Sequence, residues 1–220
     1  MTDVTNSPIP PGILAASSAI TADALDTLGL RDQAMNAAVR PVFPQARIVG
    51  RVYPVNVVVD LAEPEDPYSG EMDALSAMGP QDVGVYAVEA GSKAAAWGEL
   101  FSCAAIGRGV AGVVVDGCVR DVRQISELGY PVFSRGMSPL DTRARARVSD
   151  HGEPVVCAGL RVSRGDVVVA DVDGIVVVPA ELVDEVAGLI ASKHRLEQSA
   201  RDDLMHGMTI GDVWTKYGVF

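Results

Sequence analysis

Three short apolar runs constrain this chain more than any other feature. They are DVGVYAVEA (Asp82 to Ala90), GVVVDG (Gly112 to Gly117) and YPVFSRG (Tyr130 to Gly136). Each is rich in Val, bounded by Gly or Pro, and too short for a helix, so each reads as a buried strand. Between them lie a small-residue helical stretch, AAAWGELFSCAAIGRG, ending at Gly107 and Gly109, and, after an expected turn at Asp116-Gly117, the helical DVRQISELG. Strands alternating with helices form parallel βαβ units, and a parallel sheet gathers ligands beyond the carboxyl ends of its strands.

The rest of the chain extends this α/β reading. Ser17 to Leu30 predicts a helix capped by Thr21 or Ser18, with Leu25 and Leu28 on its apolar stripe. Arg40 to Asp60 is β in pattern, and Glu63 to Glu71 is a polar loop rich in turn residues. Glu153 to Pro179 is almost entirely β, with turns at Ser163 to Asp166 and at Asp171 to Gly174. From Ala180 onward, Leu182, Val186, Leu189, Ile190, Leu196 and Leu204 follow helical steps. One domain over residues 1–220 is expected. Residues 1–16 form a flexible N-terminal arm, and residues 180–206 form a C-terminal helix at a subunit interface.

Composition excludes some functions. A formal net charge of -11 argues against nucleic-acid binding, which needs clustered Lys and Arg. Arg143, Arg145 and Arg147 alternate and share one solvated face. The N-terminus shows no secretory pattern, and no run approaches the ~18 apolar residues of a membrane span. Cys103, Cys118 and Cys157 are odd in number, lack CxxC spacing and sit among apolar neighbours. Buried, reduced thiols in a cytoplasmic protein are expected.

Two segments bring chemistry to the carboxyl ends of the strands: Gly98-Glu99-Leu100-Phe101 and Arg120-Asp121. A helix N-terminus there offers free N–H groups to a carboxylate. Arg120 offers a planar fork for two-point carboxylate contact. Asp121 and Glu99 supply the hard oxygens that Mg²⁺ prefers. A structural alternative stands beside this: Asp121 caps its own helix, Glu99 offsets a helix dipole, and Arg120 pairs with one of them. Asp171-Val172-Asp173-Gly174 lacks the later Glu of a calcium loop and reads as a hairpin turn. His151, His194 and His206 have no metal-ligand spacing. Lys93, in a polar Gly-Ser setting, is a poor Schiff-base candidate because it stays protonated.

GVAGVVVDGCVRDVRQI, preceded by WGEL and followed by PVFSRG, resembles the family that contains the regulator of ribonuclease activity A (RraA-like) and the class II 4-hydroxy-4-methyl-2-oxoglutarate aldolases. GDVVVADVDGIVVVP and the long C-terminal helix extend the likeness. The stretch VEAGSKAAAWGEL departs from the glycine-richer version common in the family. The resemblance implies a single-domain β/β/α swivelling-type fold in homotrimers or homohexamers. It implies that Arg120 binds the pyruvate carboxylate, that Asp121 ligates a divalent cation, Mg or Mn, and that Glu99 organises a water molecule. The backbone of Gly98, Leu100 and Phe101 would line the substrate site. Glu197 would reach the neighbouring subunit's site, or pair in solvent with Arg201. The implied activity is metal-dependent cleavage of 4-hydroxy-2-oxo acids to pyruvate, accompanied by oxaloacetate decarboxylation. The alternative is a non-catalytic regulator of a ribonuclease or another partner. The expected ligand is a small 2-oxo acid, with no nucleic acid and no membrane.

Overall fold

The computed structural model describes residues 7–63 and 65–218. The chain begins with α1 (Pro11–Ala15) and α2 (Ser18–Thr27), then β1 (Arg40–Pro41) and β2 (Ile48–Val59). The middle alternates: α3 (Ser69–Ala77), β3 (Asp82–Val88), α4 (Glu99–Arg108), β4 (Gly112–Val119), α5 (Val122–Leu128) and β5 (Val132–Met137). Five strands follow: β6 (Ala146–His151), β7 (Val155–Cys157), β8 (Leu160–Val162), β9 (Val167–Ala170) and β10 (Ile175–Val178). A short 3-10 turn, Ala180–Leu182, leads into α6 (Val183–Met205), and α7 (Ile210–Tyr217) closes the described chain.

The three Val-rich runs are adjacent strands. β2, β3, β4 and β5 form a parallel ladder in that order, with β1 antiparallel on β5. On the other side β2 is split. Its first half pairs antiparallel with β9, which carries β10, and its second half pairs antiparallel with β6. The result is one mixed α/β domain with a curled sheet and a long C-terminal helix.

Alternation along the strands builds the layers, because successive side chains point to opposite faces. Val113, Val115 and Val119 of β4 enter a core with Leu75, Ala105 and Ile125 from α3, α4 and α5. Val114, between them, faces the other way, onto a second core with Cys157 and Val162 of the β7–β8 hairpin. A third core lies where α1, α2 and α6 cover β9 and β10. The sheet is therefore sandwiched between helices and a small second sheet, the β/β/α layering expected.

Several expectations need correction. The flexible arm is not borne out for residues 9–16. Ile13 of α1 is 0% exposed, and Ile9 and Ala16 are buried beside it, because α1 packs on α6. Residues 1–6 lie outside the described residues. Ser17, not Thr21 or Ser18, caps α2 by accepting the Ile20 amide. Ser18 instead ties α2 to the β9–β10 turn, its amide and hydroxyl donating to Asp171 at 2.8 and 2.6 Å. The polar loop ends early, since α3 begins at Ser69. Of the cysteines only Cys157 is buried; Cys103 is exposed and Cys118 intermediate. Asp171 to Gly174 is a hairpin turn between β9 and β10. Arg143 and Arg147 are solvent-side residues paired with Glu63 and Asp60. Among the described residues no helix is long and apolar enough to cross a membrane.

Candidate active site

The site begins with an irregularity in β4. Asp116-Gly117 does not turn the chain; the strand runs on to Val119, with a register shift against β5 between Val115 and Cys118. Shifts of this kind re-aim a strand's end. The stretch before α4 is extended rather than helical and docks beside this end. Ala96 donates its amide to Cys118 O, and Arg120 donates its amide to Trp97 O, both at 2.9 Å. Trp97 is the anchor. It is buried against Tyr86, Phe101 and Tyr130, and its indole N–H donates to Ser102 Oγ at 2.8 Å. Ser102 in turn donates to Gly98 O at 3.0 Å, fixing the start of α4.

Gly98 is required here for space. A Cβ at that position would stand 2.8 Å from Asp121 Oδ2 and 3.1 Å from Arg120 Cγ. The bare glycine lets α4 approach the Arg-Asp pair closely enough for Asp121 Oδ2 to accept the Glu99 amide at 3.2 Å. Asp121 therefore caps α4. It makes no side-chain cap on its own helix, α5, which removes that structural alternative. It also holds a left-handed backbone, φ 56 and ψ 34. Non-glycine residues seldom adopt this conformation, and it clusters at functional sites.

The amides of Leu100 and Phe101, next along α4, have no intrahelical acceptor, as at any helix start. No acceptor elsewhere among the described residues takes them. Leu100 is 78% exposed, so this N-terminus faces open space. Beside it lies a shallow cavity of about 380 Å³ lined by Arg120, Asp121, Met137 and Ser138.

The Arg120 guanidinium makes one hydrogen bond and one longer ionic contact. Its Nη1 donates to Asp141 Oδ2 at 2.7 Å, and its Nε lies 3.5 Å from Asp121 Oδ2. Its Nη2 has no partner among the described residues. The Asp141 contact raises the Arg120 pKa further. Burial pushes the Asp141 carboxyl up, but the Arg143 amide and the Arg120 guanidinium outweigh it and leave the carboxyl below the ordinary aspartate value. Asp121 Oδ1 is likewise without a protein partner among the described residues, a hard oxygen open to a cation. No group of three or more His, Cys, Asp or Glu is arranged to hold a metal among those residues. The one open carboxylate oxygen is a hard donor of the kind Mg²⁺ takes, an ion that binds through one or two carboxylates and fills its remaining positions with water and substrate.

The fold thus brings together Gly98, Glu99, Leu100, Phe101, Arg120 and Asp121. It does not bring Glu197 to them within one chain. Glu197 lies on α6, 3.9 Å from Lys193, which also meets Asp23 at 2.8 Å. Its described partner is thus Lys193 rather than Arg201. Lys93 is exposed, as its polar setting implied. Sequence reasoning missed Asp141 and Tyr68; their only signal was that Asp141 follows β5 on the same side of the sheet as Arg120.

A family model described as RraA-like, Aldolase/RraA, matches residues 18–177. The chain belongs to the RraA-like family. A Methanocaldococcus jannaschii protein of uncharacterised function is 35% identical over 119 residues, 54% of this chain and 57% of its own length. A Halalkalibacterium halodurans protein bearing the provisional name 4-hydroxy-4-methyl-2-oxoglutarate aldolase is 28% identical over 184 residues, 82% of this chain and 80% of its own. Streptomyces coelicolor RraAS2, described as an unusual member of the RNase ES inhibitor RraA protein family, superposes with a TM-score of 0.76 at 25% identity. That superposition covers 89% of this RraA-like chain and 98% of RraAS2. The chain spans little more than half the length of the archaeal relative and 32% of another curated relative.

Proposed function

We propose that this RraA-like chain is a carbon–carbon lyase of the divalent-metal-dependent, class II aldolase type. It cleaves 4-hydroxy-2-oxo acids, such as 4-hydroxy-4-methyl-2-oxoglutarate, to pyruvate, and it decarboxylates oxaloacetate to the same product. One observation carries the reading. A half-exposed guanidinium sits beside a carboxylate, with Arg120 Nη2 and Asp121 Oδ1 both without a partner among the described residues, at a helix N-terminus facing open space.

Arg120 binds the substrate carboxylate through Nε and Nη2, a two-point contact that fixes orientation as well as charge. The Leu100 and Phe101 amides donate to the remaining oxygens at the positive end of α4. Asp121 Oδ1 would hold a Mg²⁺ or Mn²⁺ ion, and that ion would supply the Lewis acid for the developing charge. Glu99, at the mouth of the site, takes the proton of the 4-hydroxyl group. As that proton leaves, the bond between C3 and C4 breaks, C4 becomes a carbonyl, and the electron pair passes to pyruvate as its enolate. Returning the proton to C3 completes pyruvate. Glu197 of a neighbouring protomer, in a trimer or hexamer, shares the proton transfer; this places residues 180–206 at the subunit interface. Oxaloacetate gives the same enolate by losing CO₂.

The testing experiment is pyruvate release from a panel of 4-hydroxy-2-oxo acids and oxaloacetate, with and without exhaustive chelation. Release that stops on chelation and returns with Mg²⁺ or Mn²⁺ is expected. Full activity after chelation, or borohydride trapping of pyruvate on Lys93, overturns the reading. A second reading, non-catalytic binding of a ribonuclease, is favoured by the likeness to RraAS2 and by the net charge of -11, which suits a basic partner surface. Binding to a ribonuclease without turnover of any panel member would select it.

A further inference from the structure

Arg120 can bind a carboxylate in two-point fashion only if its guanidinium is turned to the right edge before the substrate arrives. Nothing in the side chain itself ensures this, because a half-exposed arginine has many rotamers. The residue that fixes it is Asp141, on the segment between β5 and β6. Its Oδ2 accepts from Arg120 Nη1 at 2.7 Å. Its Oδ1 accepts the Arg143 amide at 2.9 Å and the Thr142 hydroxyl at 3.4 Å.

The segment bearing Asp141 faces the start of α3. Tyr68 lies close to the Asp141 carboxylate, and one turn on, the buried Glu71 lies close to the Thr142 side chain. Tyr68 reaches this position from a left-handed backbone, φ 71 and ψ 5, a conformation that aromatic residues rarely adopt. Such backbone outliers persist where their surroundings over-determine them. Two strained residues, Tyr68 and Asp121, thus flank the same guanidinium, one through Asp141 and one directly.

We infer that Asp141 is the positioning residue of Arg120: it occupies Nη1 and turns the Nε–Nη2 edge to the substrate carboxylate. This rests on the reading of Arg120 as carboxylate anchor. Asp141 does not touch the reacting atoms. It acts by settling the arginine's orientation in advance, so that little ordering remains to be done on binding.

The test is a set of variants on the full chain, assayed for pyruvate release and, by calorimetry, for binding of pyruvate and oxalate. Asp141→Ala should lower kcat/KM about 10²-fold, the scale of a misplacement near 1 Å, and weaken oxalate binding. Asp141→Asn keeps an acceptor for Nη1 and should recover most of both losses. Tyr68→Phe should lower kcat/KM several-fold, and should have no further effect in the Asp141→Ala background. The double variant Arg120→Ala/Asp141→Ala should be no worse than Arg120→Ala alone, because a positioning residue has nothing left to position. Circular dichroism and melting curves verify folding. Wild-type turnover with an Asp141→Ala variant equal to wild type overturns the proposal and leaves the proposed function standing. So do additive losses in the double variant, or no recovery by Asn. A wild type that neither releases pyruvate nor binds pyruvate or oxalate overturns both.

Discussion

Asp121 begins α5 but caps α4: its carboxylate accepts the Glu99 amide at 3.2 Å, and its backbone is left-handed. One residue thus joins two helix N-termini, and its two substitutions should separate structure from chemistry. Asp121→Asn keeps the acceptor, and asparagine tolerates the left-handed conformation. It should leave the melting temperature near wild type while pyruvate release falls by 10²-fold or more on the scale of a lost charge contact, about 3 kcal/mol. Asp121→Ala also loses the cap and strains the backbone, costing about 1–2 kcal/mol of stability. Denaturant unfolding beside the assay reads both. An Asn variant with full activity would remove Asp121 from the metal-binding role.

Gly98→Ala should behave as an active-site variant although it alters no functional group. The added methyl meets Asp121 Oδ2 and Arg120 Cγ, both on half-exposed side chains that can swing aside. Stability should change by less than about 1 kcal/mol, because the colliding groups give way toward solvent. kcat/KM should fall about 10²-fold, since the guanidinium and carboxylate move from their working positions. Stopped turnover with an unchanged melt is the diagnostic pair. A large loss of stability would mean that α4 itself is displaced.

Glu71 gives a pH dependence with a definite sign. Burial, with the Asp141 charge adding to it, raises its carboxyl above the ordinary value of 4.5, although its own backbone and Thr142 pull the other way. The folded chain then binds this proton more tightly than the unfolded chain. The contribution is fully present below pH 4.5 and is lost as pH rises through the folded value. Asp82 and Asp166 are raised by burial too and act in the same direction, while Asp141 is lowered and opposes them. Glu71→Gln should therefore flatten part of the decline in urea-unfolding free energy from pH 4.5 upward, and should leave the variant the more stable at neutral pH. A variant with the same pH slope as wild type would mean that Glu71 ionises freely.

Ile13 tests the N-terminal segment. It is fully buried between α6 and the sheet edge. Ile13→Ala should cost about 2–5 kcal/mol of unfolding free energy, the range for emptying a packed aliphatic site. A mobile arm would tolerate the change within about 0.5 kcal/mol. Denaturant titration distinguishes the two.

The parallel ladder was legible because Val-rich runs with turn residues between them leave few other arrangements. Arg120, Asp121 and Glu99 were legible because their spacing from those strands put them at the carboxyl ends. Ile9 and Ile13 were misjudged because two isolated apolar residues among prolines carry no periodicity; only contact with α6 reveals their burial. The Asp116-Gly117 pair resembles a turn, and its local chemistry is that of a turn. Pairing with β5 overrode it. Asp141 and Tyr68 were invisible for a different reason: a polar residue in a loop acquires its role from what faces it across space, and here the facing group comes from another strand's end.

The divided pairing of β2 has a consequence for how the chain reaches this state. Ile48 must find Ala170, and Val59 must find Ala146, whereas the parallel partner β3, which pairs with Arg51 to Val57, follows much sooner in the chain. Contacts so distant along the chain make folding slow, because loop-closure entropy is spent before the ladder returns it. During synthesis, the first half of that flank of β2 stays open until residue 170 has emerged from the ribosome. Over that interval a Val-rich strand edge is exposed to other nascent chains. Chaperone dependence of this protein should therefore track the delay between translation of β2 and of β9, and slowing translation between them should raise aggregation, whereas slowing it after β10 should not.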